Sequence, residues 1–310
     1  MIYDLIIVGG GPSAITAGIY AARKKINTLL IAKELGGQVN GAHIIDNYPG
    51  LPETPGIDLV EKLVQHLQKF EIKINKDEIV EDIKLLESDS DIKNFEVKTN
   101  KDVYQTKSII IAMGNLPRKL YIPGAEEFAG KGISYCATCD APLFADKNVA
   151  VIGAGDAGMD TAWQLTQYAK KIYIINKYAE LKSDDVILQE KIEKHPLIEI
   201  ISSAEIKEIQ GGKFVEKLIY AQNGENKEIK IDGIFVEIGW IANTEFVQKV
   251  VKLNEKKEII IDSQTNTTSI DGIFAAGDVT NIPHKQIIIA AGEGAKATLN
   301  VYKYLRTHNV

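Results

Sequence analysis

This chain is poor in thiols, arginine, histidine and tryptophan, and it has no long apolar run. Among 36 basic residues only Arg23, Arg118 and Arg306 are arginine, and no basic cluster breaks a net charge of −6. That argues against a nucleic-acid partner or an anionic membrane surface, since both are bound through dense positive charge. No apolar stretch approaches the roughly 20 residues that span a bilayer. The opening, Met1 to Gly11, is apolar but carries Asp4 and runs straight into a glycine loop. It reads as a buried strand and not as an export signal. The five histidines, His43, His66, His195, His284 and His308, share no metal-ligand spacing, and there is one cysteine pair only. A structural zinc site wants four ligands and has no candidates here. Trp163 and Trp240 read as packing residues. Two cysteines without an export signal point to the reducing cytoplasm.

What is present is a soluble globular composition, 45% apolar and 25% charged, in 310 residues, enough for two domains. There are no tandem repeats and no low-complexity tract. The two cysteines sit together in Tyr135-Cys136-Ala137-Thr138-Cys139-Asp140. Thiols two residues apart open and close a disulfide without large backbone movement, and the first of such a pair often has a depressed pKa. Asp140 directly follows and is placed to supply or take the proton that thiol exchange needs. As a mere staple the bridge closes so short a loop that chain entropy offers only about 2 kcal/mol. The redox reading leads, with a chance pair as its rival.

Either side of this pair lies a glycine-rich loop in strand–loop–helix context. Asp4–Val8 reads as a strand buried on both faces, then Gly9-Gly10-Gly11-Pro12-Ser13-Ala14 opens a helix running to about Lys24. Glycines let backbone approach a pyrophosphate, and the helix N-terminus offers it free N–H groups. A second strand, Asn27–Ala32, leads to Glu34, where an acid binds a ribose hydroxyl or is simply a solvated turn residue. Gly36-Gly37-Gln38 and the loop at Asn47 are turns, or wraps for a large cofactor. Ser108–Ala112 is another apolar strand, ended by Met113-Gly114, with Ala112 and Gly114 as backbone contacts. The second fingerprint follows strand Asn148–Ile152: Gly153-Ala154-Gly155-Asp156-Ala157-Gly158, a helix to about Lys170, and strand Ile172–Ile175 ending at Asn176-Lys177. Near the end, a strand over Ile270–Ala276 closes on Gly277-Asp278, whose carboxylate can accept from a flavin's ribityl hydroxyls. Lys285-Gln286-Ile287 then precedes a helix from Ile288 to about Leu305, with Gly292 and Gly294 permitting close approach. The expected fold is α/β, two Rossmann-like three-layer dinucleotide-binding domains. One is discontinuous (1–116 and 246–310), with the other (117–245) inserted.

These motifs, in this order, resemble the low-molecular-weight thioredoxin reductases of bacteria and archaea over almost the whole chain. Lys285–Ala297 and Cys139–Phe144 are similar to the related alkyl hydroperoxide reductase flavoprotein, whose thioredoxin-like extension is expected on a separate chain here. The resemblance implies a cytoplasmic homodimer with FAD in the discontinuous domain and NADPH or NADH in the inserted one. It makes Cys139 the flavin-side sulfur, Cys136 the attacking thiol and Asp140 the proton donor. It also implies domain rotation about hinges near Arg118 and Asn243, and a thioredoxin or thioredoxin/glutaredoxin-like protein as acceptor. NADPH-specific members carry His-Arg-Arg-x-x-x-Arg where this chain reads Asn176 to Lys182, so no arginine clamp holds a 2′-phosphate. Lys177 and Lys182 either hold that phosphate as point charges or are solvated. The acid that marks NADH users is also missing, since Asn176 takes its place. The expected activity is thioredoxin-disulfide reduction by NAD(P)H through FAD and the Cys136–Cys139 disulfide. The rivals are an NADH-dependent peroxiredoxin-system reductase or NADH oxidase, a ferredoxin-dependent enzyme, and a flavoprotein that binds no second nucleotide.

Overall fold

Short aliphatic runs with no polar alternation need cover on both faces, which is the condition of parallel strands. A computed structural model describes residues 2–42, 45, 47–86, 92–181 and 185–308, and in it such runs form two parallel sheets. The chain separates into two compact units, 1–116 with 240–310, and 117–239. The return crossing lies at Gly239–Trp240, a few residues before the one expected near Asn243.

The first unit has a five-stranded parallel sheet in the order Ile273–Ala275, Ile109–Ile111, Leu5–Val8, Thr28–Ile31, Lys73–Asn75. Alternate side chains leave opposite faces. Leu5, Ile7, Leu30, Ile110 and Phe274 meet Ala14, Ala17, Ala297 and Val301 of helices Pro12–Arg23 and Ile287–Thr307. Ile6, Val8, Leu29, Ile31 and Ile109 meet Ile83, Phe95 and Val97 of a second, four-stranded sheet. The two helices approach closely because Gly294 has no side chain: a Cβ there would stand 2.1 Å from the Ser13 carbonyl. Gly292 does no such work, since nothing lies within 4 Å of a Cβ built on it.

The second unit repeats the plan. Its parallel sheet runs Ile133–Ser134, Gly233–Val236, Asn148–Ile152, Lys171–Ile175, Ile198–Ile201. Val149, Val151, Ile172 and Phe235 pack on Met159, Ala162 and Leu165 of helix Asp156–Leu165 and on Ile192 of helix Val186–Lys194. Ala150, Ile152, Ile175, Ile234 and Val236 pack on Ile209, Leu218 and Tyr220 of a three-stranded antiparallel sheet. Asn223 and Gly224, with φ of 54° and 82°, make the tight turn of its second hairpin. The helix after the second glycine loop stops at Leu165, short of Lys170, because the next N–H groups, of Thr166, Gln167 and Tyr168, bond three residues back, to Trp163, Gln164 and Leu165, and tighten the last turn. Helix Val186–Lys194 is an addition to the expected elements, started by Asp185, whose carboxylate accepts from the Leu188 N–H at 2.9 Å. Among the described residues no helix is long and apolar enough to cross a membrane.

Candidate redox and nucleotide sites

In the first unit, four strands deliver the candidate residues at their carboxyl ends. Gly9 to Ala14 follow Leu5–Val8, Glu34 follows Thr28–Ile31, Ala112 and Gly114 follow Ile109–Ile111, and Gly277 and Asp278 follow Ile273–Ala275. Strand order reverses between Leu5–Val8 and Ile109–Ile111, and an open α/β sheet binds its ligand in the crevice at such a point. Gly9 has a φ of 126°, and a Cβ there would lie 2.2 Å from the Ala112 carbonyl, so the two strand ends close up only with glycine. Gly10 abuts the Glu34 carbonyl in the same way, at 1.9 Å. Gly11 differs: nothing lies within 4 Å of a Cβ built on it, so the space above the loop is open. Gly37 backs onto Gly11, and Gly277 onto Ser13. Pro12 takes the first helical position, where its missing N–H costs nothing. The Ser13 hydroxyl is buried and has no hydrogen-bond partner among the described residues. A buried orphan donor in the first turn of a helix, beside a loop left open at Gly11, fits a phosphate oxygen.

Asp278 adds the second requirement. Burial pushes its carboxyl up to about 6, with Lys285 pulling the other way, and no hydrogen bond from a described residue reaches it. Such a carboxylate wants hydroxyl donors, which a flavin's sugar chain carries. The raised pKa means the folded state holds this proton between about pH 4 and 6 while the unfolded chain has lost it, so stability falls as pH rises through that window. Asp278→Asn is expected to raise the melting temperature of the flavin-free protein at about pH 8 but not at about pH 4, while weakening flavin binding. Scanning calorimetry at the two pH values checks the first effect.

The remaining expected contacts of this unit are placed as follows. Asn47 donates to the Gln286 side-chain oxygen at 3.1 Å. Lys285 pairs with Glu258 at 3.0 Å, and Ile287 packs beside Val39 and Leu59. Gln38 donates to the carbonyl and side-chain oxygens of Asn115, a residue that sequence reasoning passed over. Glu34 is exposed. His43 lies outside the described residues.

In the second unit Gly153 backs onto the Glu237 carbonyl and Gly158 onto the Gly153 carbonyl, at 2.3 and 2.0 Å from the Cβ each lacks. Gly155, Asp156 and Ala157 form the exposed start of the following helix. Asn176 is buried, and its amide holds the next turn: Nδ2 donates to the Glu180 carbonyl at 2.9 Å and Oδ1 accepts from the Tyr178 N–H at 3.1 Å. Lys177 is exposed, and its charge helps to lower the Glu205 carboxyl, after the larger effect of Lys207. Lys182 lies outside the described residues.

Cys136 and Cys139 are joined as a disulfide with Cα atoms 5.3 Å apart. They follow edge strand Ile133–Ser134, so they leave the same end of the sheet as the second glycine loop. The short helix Ala137–Asp140 closes when the Cys139 and Asp140 N–H groups bond to the Cys136 carbonyl. Downstream, Phe144 packs edge-on against Phe235 and lies over Gly233, whose absent Cβ would meet its ring at 2.0 Å. Ser134 is the residue that sequence reasoning missed. Its buried hydroxyl donates to the Asp140 carboxylate at 2.6 Å and accepts from the Cys136 N–H at 3.1 Å, tying the acid to the Cys136 backbone. Ser134→Ala is expected to cut the rate of carrier reduction about tenfold, leave the nicotinamide-driven flavin step unchanged, and be rescued in part by Ser134→Thr. Rapid-mixing measurement of the two half-reactions checks this.

The similarity of this arrangement to known proteins runs along the whole chain. A solved thioredoxin reductase from Streptococcus pyogenes MGAS5005 is 34% identical, superposes with a TM-score of 0.89, and matches over 99% of each chain. One from Giardia duodenalis is 28% identical with the same TM-score, over 98% of this chain and 99% of that one. The alkyl hydroperoxide reductase F protein of Staphylococcus epidermidis is 40% identical over 305 residues, 98% of this chain. The chain spans 59% of that relative's length. Residues 3–296 match the profile of the pyridine nucleotide-disulphide oxidoreductases, and the chain belongs to that family.

Proposed function

We propose that the chain is a thioredoxin-disulfide reductase that binds FAD in its first unit and NADH or NADPH in its second. One observation carries the reading: the only two cysteines form a disulfide at the strand-end edge that also carries the second glycine loop. The orphaned Ser13 hydroxyl and the donor-starved Asp278 fit a flavin dinucleotide in the first unit. Bound there, the flavin supplies hydride acceptance from the nicotinamide and two-electron delivery to the disulfide.

The protein's own groups do the rest. Cys139 takes the electron pair as its bond to Cys136 opens, and Cys136 leaves as a thiolate. Asp140, held by Ser134, delivers a proton to that sulfur and takes it back when Cys136 attacks the disulfide of a thioredoxin-like partner. The mixed disulfide then resolves as Cys139 attacks Cys136, which restores the bridge and releases the partner as a dithiol. The proposed working form is a cytoplasmic homodimer.

A second reading keeps the chemistry and changes the acceptor. The 40% identity to the F protein of an alkyl hydroperoxide reductase favours a carrier that serves a peroxiredoxin. Anaerobic rapid mixing with NADH and with NADPH tests the core of both readings. At least one nucleotide is expected to bleach the flavin within a catalytic cycle, and failure of both overturns nicotinamides as donors. Thioredoxin and a glutaredoxin-like carrier, offered side by side, then distinguish the acceptors.

A further inference from the structure

One acid of the second unit has no part in the scheme above. Glu237 follows strand Gly233–Val236, bonds through its N–H to the Ile152 carbonyl at 2.8 Å, and supports Gly153 from behind. Strand Gly233–Val236 lies on one side of Asn148–Ile152, and Lys171–Ile175, which ends at Asn176, lies on the other. A dinucleotide laid across this reversal of strand order puts its adenosine half on the Asn176 side, leaving the nicotinamide ribose half for the side of Glu237. Strand alternation sends Glu237 to the helix-covered face, like Phe235, and the Thr161 hydroxyl donates to its Oε1 at 2.9 Å. No other hydrogen bond from a described residue reaches the carboxyl, and the residue is only half-buried.

Burial pushes this carboxyl up to about 7; Thr161 lowers it and the like charge of Asp160 raises it. Among the described residues no lysine or arginine offsets this, and the Arg118 side chain lies against nearby Gly239. On the elements packed nearest, the other acids are Asp156 at the helix start and Asp140 beyond Cys139.

We propose that Glu237 reads the redox form of the pyridine nucleotide: its ionised carboxylate favours the cationic oxidised ring over the neutral reduced ring. This rests on the reading that the second unit holds that nucleotide. The two forms carry the same sugars and diphosphate, so those interactions cancel and the ring charge remains. Hydride departure makes the ring cationic, and a protonated Glu237 answers by releasing its proton to solvent. Below pH 7 the neutral acid shows little preference; above it the oxidised form is held more tightly. Acidity therefore speeds release of the spent nucleotide.

The test uses dead-end pairs of the holoprotein: NAD+ titrated into the oxidised form, and NADH into protein reduced beforehand with dithionite. The ratio of oxidised to reduced affinity is expected to rise roughly five- to tenfold between about pH 6 and 8. Calorimetry in buffers of different ionisation enthalpy is expected to register proton release on NAD+ binding near pH 7. In Glu237→Gln the ratio is flat and the release absent. Thr161→Val keeps the carboxyl but removes its donor, so the midpoint moves to higher pH. An equal rise in Glu237→Gln, a flat wild type, or an unmoved midpoint in Thr161→Val overturns the proposal. Absence of nucleotide binding in every protein at every pH overturns instead the placement of the nucleotide in this unit.

Discussion

Cys139→Ser is expected to lower reduction of a disulfide carrier by roughly a thousandfold or more, while nicotinamide still bleaches the flavin at the wild-type rate. The bridge is the only disulfide the chain can form, since it has two cysteines and both are in it. A serine hydroxyl neither accepts the electron pair nor closes the ring again, so electrons reaching the flavin have no exit except oxygen. The variant also separates the two sulfurs by role. Cys136, left alone as a free thiol, attacks the carrier and is trapped as a mixed disulfide that Cys139 is no longer there to resolve. Cys136→Ser is equally inactive but traps nothing. An oxidase that uses only the flavin keeps full turnover in both variants, so steady-state assays with carrier and with oxygen separate the readings.

Gly11→Glu is expected to give a folded but colourless protein, whereas Gly9→Ala is expected to lose stability. The two glycines stand two residues apart in one loop, and their surroundings differ. A methyl group at position 9 meets the Ala112 carbonyl at 2.2 Å and sits on a backbone with φ of 126°, which side chains resist. Joining strands Leu5–Val8 and Ile109–Ile111 at their ends then requires the sheet to shift, at a cost of about 2 kcal/mol or more. At position 11 nothing stands within 4 Å, so a longer side chain folds without a clash. It fills the cradle, and its carboxylate faces the helix N-terminus where a diphosphate is expected to bind. Melting of the flavin-free proteins, together with flavin content after purification, measures both effects. A yellow Gly11→Glu protein contradicts the assignment of the loop.

The readable parts of this chain are those where backbone geometry leaves one choice of residue. Both glycine loops are legible because strand, loop and helix in sequence demand glycine at the contacts that Gly9, Gly153 and Gly158 make. The strands are legible because parallel strands covered on both faces admit no polar alternation. Pairings made in three dimensions are not. Ser134 looks like any strand residue until the chain turns back and sets Asp140 against it. Glu237 looks like the end of an apolar run, and its donor Thr161 lies on a distant helix. Lys285 next to a flavin loop suggests a ligand contact, yet its charge is matched by Glu258. Helix Val186–Lys194 is hidden because only Ile192 is fully buried, too narrow an apolar stripe to mark a period.

An anaerobic reductive titration of the yellow holoprotein, with flavin absorbance followed and cysteines alkylated at each step, tests the central claim most directly. The account predicts uptake of about four electrons per chain, two by the flavin and two by the bridge, with Cys136 and Cys139 becoming alkylatable together. Saturation at about two electrons with both sulfurs still unlabelled, while carrier reduction continues, would contradict it.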